Sequence, residues 1–187
     1  NEIYSKIKTL RTHGMVRDFS DNDKTVEPWF YEMRELGYNY RITDFQCALG
    51  SSQLKKLDNF VTKRNMIAQK YNNEFSNFDC LSIPLVNKDV FHSYHLYALQ
   101  INFKKLAITK PNFFNKMKNL GINLQVHYIP VHLQPYYKNN FGFSKGDYPI
   151  SENFYSNEVS LPIYPDLSDE DQQKVVNNLK EVLKLND

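Results

Sequence analysis

The sequence predicts an α/β chain in three parts: a lead segment over residues 1–42, one long amphipathic helix over 43–79, and a small α/β domain over 80–187. Three observations predict it. Thr43 followed three residues later by Gln46 fits a capping box, the reciprocal side-chain arrangement that marks a helix start. Beyond it, Leu54, Leu57, Val61, Ala68, Tyr71 and Phe75 recur at steps compatible with three and four, which lines one face of a helix. After Cys80 the pattern changes to alternating strands and helices, the mark of a separate folding unit.

Taken in order, residues 1–12 read as a helix carrying Ile3, Ile7 and Leu10. Lys6, Lys8 and Arg11 lie toward its end, and Gly14 is placed to close it in a left-handed conformation. Residues 18–24 read as a polar loop, and Val26 to Met33 as an aromatic extended segment. A helix of some 30 residues from Thr43 would reach roughly 45 Å at about 1.5 Å rise per residue. That exceeds the width of a small domain, so the helix is expected to bridge two domains or to pack on a neighbouring subunit.

In the third part, Tyr97, Leu99, Ile101 and Phe103 alternate along a strand over 95–103. Pro111 opens a helix through Phe113, Phe114, Met117 and Leu120, which Gly121 closes. Leu124, Val126 and Tyr128 read as the next strand, 135–149 as an ordered loop, 151–159 as a short helix and 161–165 as a last strand. Ser168 begins a terminal helix whose first turn, Asp169-Glu170-Asp171, places acids at the positive end of the helix dipole.

Composition narrows the function. With 187 residues and 41% hydrophobic content, the chain can bury a core. Lys plus Arg number 23 against 21 Asp plus Glu, and the charges are dispersed, so neither a nucleic-acid nor an anionic-membrane surface is indicated. Cys47 and Cys80 have no metal-ligand spacing and make no disulfide framework, and both read as reduced thiols of a cytosolic protein. No apolar run approaches the roughly 18 residues of a membrane span. The chain opens at Asn1 directly in a helical pattern, which leads us to expect that it starts partway through a gene product. A Gly-x-Ser-x-Gly elbow, a Cys beside a base and a Gly-rich phosphate loop are all missing from it.

Two stretches carry candidate sites. In 37–46, Asn39 offers an amide and Arg41 a planar fork of donors that matches phosphate oxygens, both just ahead of a helix N-terminus that favours anions. A capped helix with a surface Arg is the plainer reading. His92, His95, His127 and His132 fall in the third part, but no Cys or acid is spaced with them, and no metal site is expected. The run from His127 to Tyr137 gives a Pro-constrained segment of imidazole and phenol groups. It suits either a sugar or uracil ring or aromatic packing under a rigid turn.

Lys6 to Gly14, Glu35 to Gly50 and His127 to Pro135 together resemble the DegT/DnrJ/StrS sugar aminotransferase family, over essentially the whole chain. Residues 27–33 and 51–58 are most similar to the branch that aminates nucleotide sugars for pseudaminic acid synthesis. The resemblance implies the C-terminal part of a fold-type I transferase dependent on pyridoxal 5'-phosphate (PLP). Residues 1–42 would end the large cofactor-binding domain, 43–79 would be the linking helix, and 80–187 the small domain. It also implies a cytoplasmic homodimer with shared active sites, moving an amino group from glutamate to a UDP-4-keto-6-deoxyhexose, with neither nucleic acid nor membrane as partner. Asn39 would reach the cofactor phosphate of the neighbouring subunit, Arg41 would lie near phosphates of cofactor or nucleotide-sugar, and His127, Tyr128 and His132 would line the sugar-nucleotide side. The family's Schiff-base Lys sits in a segment ending near Thr-Thr-x-Glu-Gly-Gly, and this sequence contains no such segment. No residue here is therefore expected to perform the covalent chemistry, and the chain alone is expected to be inactive. A PLP-dependent sugar dehydratase of the same family and a non-catalytic nucleotide-sugar binding module are the alternatives.

Overall fold

A computed structural model describes residues 2–16 and 29–185. The polar loop read over 18–24, and residues 26–28 of the extended segment, lie outside the described residues. The chain divides into two compact units, Asn1–Lys55 and Lys56–Asp187.

The first unit contains α1 (Glu2–Leu10), β1 (Met15–Val16), β2 (Glu32–Met33) and α2 (Asp44–Leu54). The chain leaves α1 through a left-handed turn at His13 (φ 62) and Gly14 (φ 69), with the Gly14 N–H donating to the Thr9 carbonyl at 3.1 Å. That six-residue closure satisfies a helix-end carbonyl, the role expected of Gly14. β1 and β2 pair antiparallel, Met15 opposite Met33 and Val16 opposite Glu32. The end of α1 then receives residues 38–40: Tyr38 N–H donates to Leu10 O (2.6 Å), His13 N–H to Tyr38 O (2.8 Å) and Tyr40 N–H to Arg11 O (2.9 Å).

Two glycines permit this approach. A Cβ on Gly37 would lie 2.2 Å from the Gly14 nitrogen, and one on Gly14 would lie 1.8 Å from the Glu35 carbonyl oxygen. The expected capping box is present at α2: Thr43 Oγ1 accepts from Gln46 N–H at 3.3 Å, and Gln46 Oε1 accepts from Thr43 N–H at 3.0 Å. Neither α1 nor α2 has a buried residue, and Ile3, Ile7, Leu36, Phe45 and Leu49 are all exposed.

The single helix expected over 43–79 is instead two, α2 and α3 (Leu57–Phe75), interrupted at Lys55–Lys56. Gly50-Ser51-Ser52, weak helix formers, precede the break, and the Lys55 N–H turns back to Gln53 O. The apolar stripe changes use at the same point: Leu54 and Leu57 are exposed, whereas Val61, Ala68, Tyr71 and Phe75 are buried.

The second unit packs α3, α4 (Lys110–Asn119) and α7 (Asp169–Leu183) with a three-stranded antiparallel sheet of order β3 (Leu81–Ser82), β4 (Tyr97–Ile101), β5 (Glu158–Leu161). Between α4 and β5 lie a 3-10 turn (Val131–Leu133), α5 (Pro135–Phe141) and α6 (Pro149–Asn157). The expected alternation on β4 holds, since Tyr97, Leu99 and Ile101 are fully buried and Ala98 and Gln100 less so. The helix start at Ser168 stands as read, and Thr109 caps the helix expected to open at Pro111, each hydroxyl accepting an N–H three residues on. Phenol groups tie the helices to the sheet: Tyr71 donates to Pro162 O and Tyr97 to Asn72 Oδ1, each at 2.9 Å, and burial pushes both phenols well above the usual tyrosine range.

Three elements differ from expectation. Residues 124–128 form no strand; Gln125 alone bridges Ser160, because the next available N–H, that of His127, is taken by a side-chain carboxylate. The loop read over 135–149 begins as helix α5, with Pro135 in its first turn and Gly142 (φ 72) closing it, and α6 starts at Pro149 rather than at Ser151. The last strand is Glu158–Leu161 rather than 161–165, since Pro162 has no N–H to continue the ladder.

Gly37→Ala tests the close approach. Forcing a methyl group against backbone costs about 1–3 kcal/mol, so amide exchange at Tyr38 and Tyr40 is expected to accelerate by about tenfold or more. The β4 amides in the second unit are expected to be unaffected; hydrogen exchange read by NMR checks both.

Candidate functional site

In the first unit, residues 38–41 run extended from the end of α1 to the cap of α2, so alternate side chains share a face. The Tyr38 and Tyr40 rings stack at 4.9 Å. Asn39 and Arg41, on the other face, are joined by a hydrogen bond from Arg41 Nε to Asn39 Oδ1 at 3.1 Å. A guanidinium only donates, so Asn39 must present its oxygen to it. The amide NH2 of Asn39 and the terminal nitrogens of Arg41 are left as donors, and both residues are exposed. This is a donor surface suited to an oxyanion.

In the second unit, the strand period sorts β5 into two faces. Val159 and Leu161 join the core, opposite Leu99 and Tyr97. Glu158 and Ser160 take the other face, opposite Gln100 and Ala98, and both are buried. Glu158 Oε1 accepts from the Ser160 hydroxyl at 2.5 Å, and Oε2 accepts from the His127 backbone N–H at 3.0 Å. Ser160 Oγ in turn lies 2.8 Å from His127 Nδ1. Nearby, Lys110 donates to Tyr155 O at 2.6 Å; burial lowers its ammonium pKa, and the negative charge of Glu158 opposes that shift. His127 is half-buried, and its ring meets Tyr128 edge-on at 4.7 Å, while Tyr128 is exposed.

His132 sits differently from the other two. It is buried, its Nε2 is 2.9 Å from Glu152 Oε1, and that same oxygen accepts the Gly146 N–H at 2.7 Å. The Tyr148 ring lies 4.7 Å away. The hydrogen bond with His132, then that from Gly146, holds the Glu152 carboxyl below its usual range. His132 therefore pins the segment before α6 through its Nε2. His92 accepts the Tyr94 N–H, His95 is exposed, and no group of three or more potential metal ligands occurs among the described residues.

Glu158, Ser160, Lys110 and Glu152 did not emerge from the sequence as site residues. The signal for the first two was Glu158-Val159-Ser160 itself, since a polar-apolar-polar triplet on a strand places both polar groups on one face.

The chain belongs to the DegT/DnrJ/EryC1/StrS aminotransferase family, whose model matches residues 1–180. It is 43% identical over 185 residues to an uncharacterized protein of Methanocaldococcus jannaschii, covering 99% of this chain and 48% of that protein. It is 36% identical over 183 residues to the UDP-4-amino-4,6-dideoxy-N-acetyl-beta-L-altrosamine transaminase of Campylobacter jejuni, covering 98% and 46%. Among solved structures it is similar to Helicobacter pylori PseC, an aminotransferase involved in the biosynthesis of pseudoaminic acid, with TM-score 0.83 and 28% identity, covering 98% of this chain and 47% of that one. Spr1654 from Streptococcus pneumoniae, in its PLP form, matches with TM-score 0.82 and 25% identity, covering 98% and 44%. The fold is thus the α/β fold of the C-terminal part of a fold-type I transferase, and the chain spans about half the length of the curated relatives it matches.

The Glu152 contact has a pH signature. A carboxyl whose pKa is lowered on folding stabilises the fold above its unfolded value, about 4.3, and loses that contribution as pH falls through the lower folded value. Acidification through this range is expected to loosen residues 132–148, and Glu152→Gln to loosen them at neutral pH. The Gly146 amide and the Tyr148 ring signals in NMR spectra report both.

Proposed function

We propose that this chain forms part of a PLP-dependent aminotransferase that moves an amino group from glutamate to the 4-keto carbon of a UDP-6-deoxyhexose, working as a cytoplasmic homodimer with shared active sites. The reaction yields 2-oxoglutarate and a 4-amino sugar. The observation that carries the reading is the exposed donor pair of Asn39 and Arg41, held by backbone hydrogen bonds beside a capped helix start. Family membership and the two transaminase relatives supply the substrate class.

The donor set fits the cofactor. Asn39 would give its amide N–H groups to the phosphate, and Arg41 its terminal nitrogens to phosphate oxygens of PLP or of the nucleotide. When bound, PLP supplies an electron sink at the carbon that gains or loses the amino group. His127 and Tyr128 would line the sugar-nucleotide side, Tyr128 by stacking through its exposed ring and His127 by a directed hydrogen bond. His132 would contribute from beneath, keeping the residues around Tyr148 in place. Among the described residues no helix is long and apolar enough to cross a membrane.

The test is to supply the protein carrying this chain with L-glutamate and a UDP-4-keto-6-deoxy-N-acetylhexose and follow products by mass spectrometry. An amino sugar formed with an equivalent of 2-oxoglutarate supports the reading; loss of water from the sugar without amination overturns it in favour of a dehydratase. Charge-assisted hydrogen bonds contribute about 1.5–3 kcal/mol, so Arg41→Ala is expected to raise the KM for the nucleotide-sugar by about 10–100-fold. Arg41→Lys is expected to recover only part of that, lacking the planar fork.

A further inference from the structure

We infer that Glu158 and Ser160 are positioning residues that lock His127 in one tautomer, with Nδ1 protonated and Nε2 bare, so that Nε2 accepts a hydrogen bond from an O–H or N–H group of the nucleotide-sugar. The last clause rests on the proposed function; the tautomer does not. The argument begins with the single hydrogen on Ser160 Oγ. That oxygen is 2.5 Å from Glu158 Oε1 and 2.8 Å from His127 Nδ1, and it can donate to only one of them. An ionised carboxylate cannot donate, so the hydroxyl hydrogen goes to Glu158 and His127 Nδ1 must supply the hydrogen of the second contact. The carboxylate form suits both contacts of Glu158, since Oε2 already accepts the His127 N–H and Oε1 is left to accept from Ser160.

One buried carboxylate thus fixes the backbone of His127 directly and its ring through a hydroxyl. Glu158 and Ser160 are 0% and 5% exposed, so water does not compete for these contacts. Among the described residues Nε2 has no hydrogen-bond partner, and in a neutral ring with Nδ1 protonated it can only accept. A sugar hydroxyl, an acetamido N–H or the imide N–H of a uracil suits it; a carbonyl oxygen does not.

The experiment uses the protein carrying this chain with 15N-labelled histidine at about pH 8, above the reference imidazole value. Two-bond 1H–15N correlations are expected to give His127 a pyridine-type Nε2 and a pyrrole-type Nδ1. Glu158→Gln makes a sharper prediction. The amide oxygen keeps the His127 N–H, the NH2 group donates to Ser160, Ser160 then donates to Nδ1, and the proton moves to Nε2. Ser160→Ala is expected to release the ring to the Nε2–H form that unrestrained imidazoles favour, and Ser160→Thr to restore the original tautomer. The serine pair decides the matter if Glu158→Gln fails to fold.

A wild-type His127 protonated at Nε2, or a tautomer unmoved in both Glu158→Gln and Ser160→Ala, overturns the inference. Titration with UDP-N-acetylglucosamine tests the ligand: the His127 Nε2 signal is expected to shift, with affinity falling about tenfold in Glu158→Gln. A locked Nδ1–H tautomer with an Nε2 signal unmoved by saturating UDP-N-acetylglucosamine overturns the ligand clause and leaves the positioning intact.

Discussion

Burying the carboxylate of Glu158 is the constraint around which the second unit is arranged. A buried charge without partners is expensive, and even a hydrogen-bonded one repays its desolvation only when every lone pair direction is served. β5 meets part of that demand through its period of two, and Glu158 accepts two hydrogen bonds. The strand is buried along its whole length, yet its faces obey different chemistry: Val159 and Leu161 close the apolar core with Tyr97 and Leu99, while Glu158 and Ser160 face the opposite way. The polar face dictates what covers it. The 125–128 segment contributes a bridge at Gln125 and then gives its next free N–H to the carboxylate, so the chain leaves the sheet at His127.

The first unit is held by other means. α1 and α2 bury no side chain, so what orders residues 35–41 is backbone contact: the left-handed turn after α1, three N–H to carbonyl bonds to residues 38–40, and two glycines that let main chains touch. Hydrogen bonds exposed to water contribute about 0.5–1.5 kcal/mol each, far less than a core of buried aromatics. Ile3, Ile7, Phe45 and Leu49 are all exposed on this unit. The two units therefore differ in kind, the second owing its order to a core and the first to main-chain geometry.

What could be read from the sequence followed from how local each feature is. The caps at Thr43 and Ser168, the turn at Gly14 and the alternation of β4 depend on residues within a few positions of one another, and all are present. The donor pair of Asn39 and Arg41 was legible for the same reason, though its internal hydrogen bond was not. The break at Lys55–Lys56 was missed because the apolar spacing continues across it while burial does not. Helix α5 was missed although Pro135 and Gly142 bracket it, because a run of Tyr, Asn and Phe reads equally as an ordered loop. Glu158 was invisible as a site residue because its meaning depends on His127, 31 positions away. The commitment of His132 to Glu152, 20 positions away, was hidden for the same reason.

Under the proposed function the two donor and acceptor sites divide the work of recognition. Arg41 is exposed, and an exposed charge pair gains little in water, about 0–1 kcal/mol; its attraction grows only when a second surface excludes solvent from it. A phosphate corner built this way captures charge weakly while open and strongly once covered, which suits a site shared between subunits. His127 works by direction instead. Its ring is fixed through Ser160 and its backbone through Glu158, so little ordering entropy remains to be lost when a ligand arrives. On that reading the corner selects for charge alone, and selection at the sugar or base falls to the imidazole, which admits only a donor at one position.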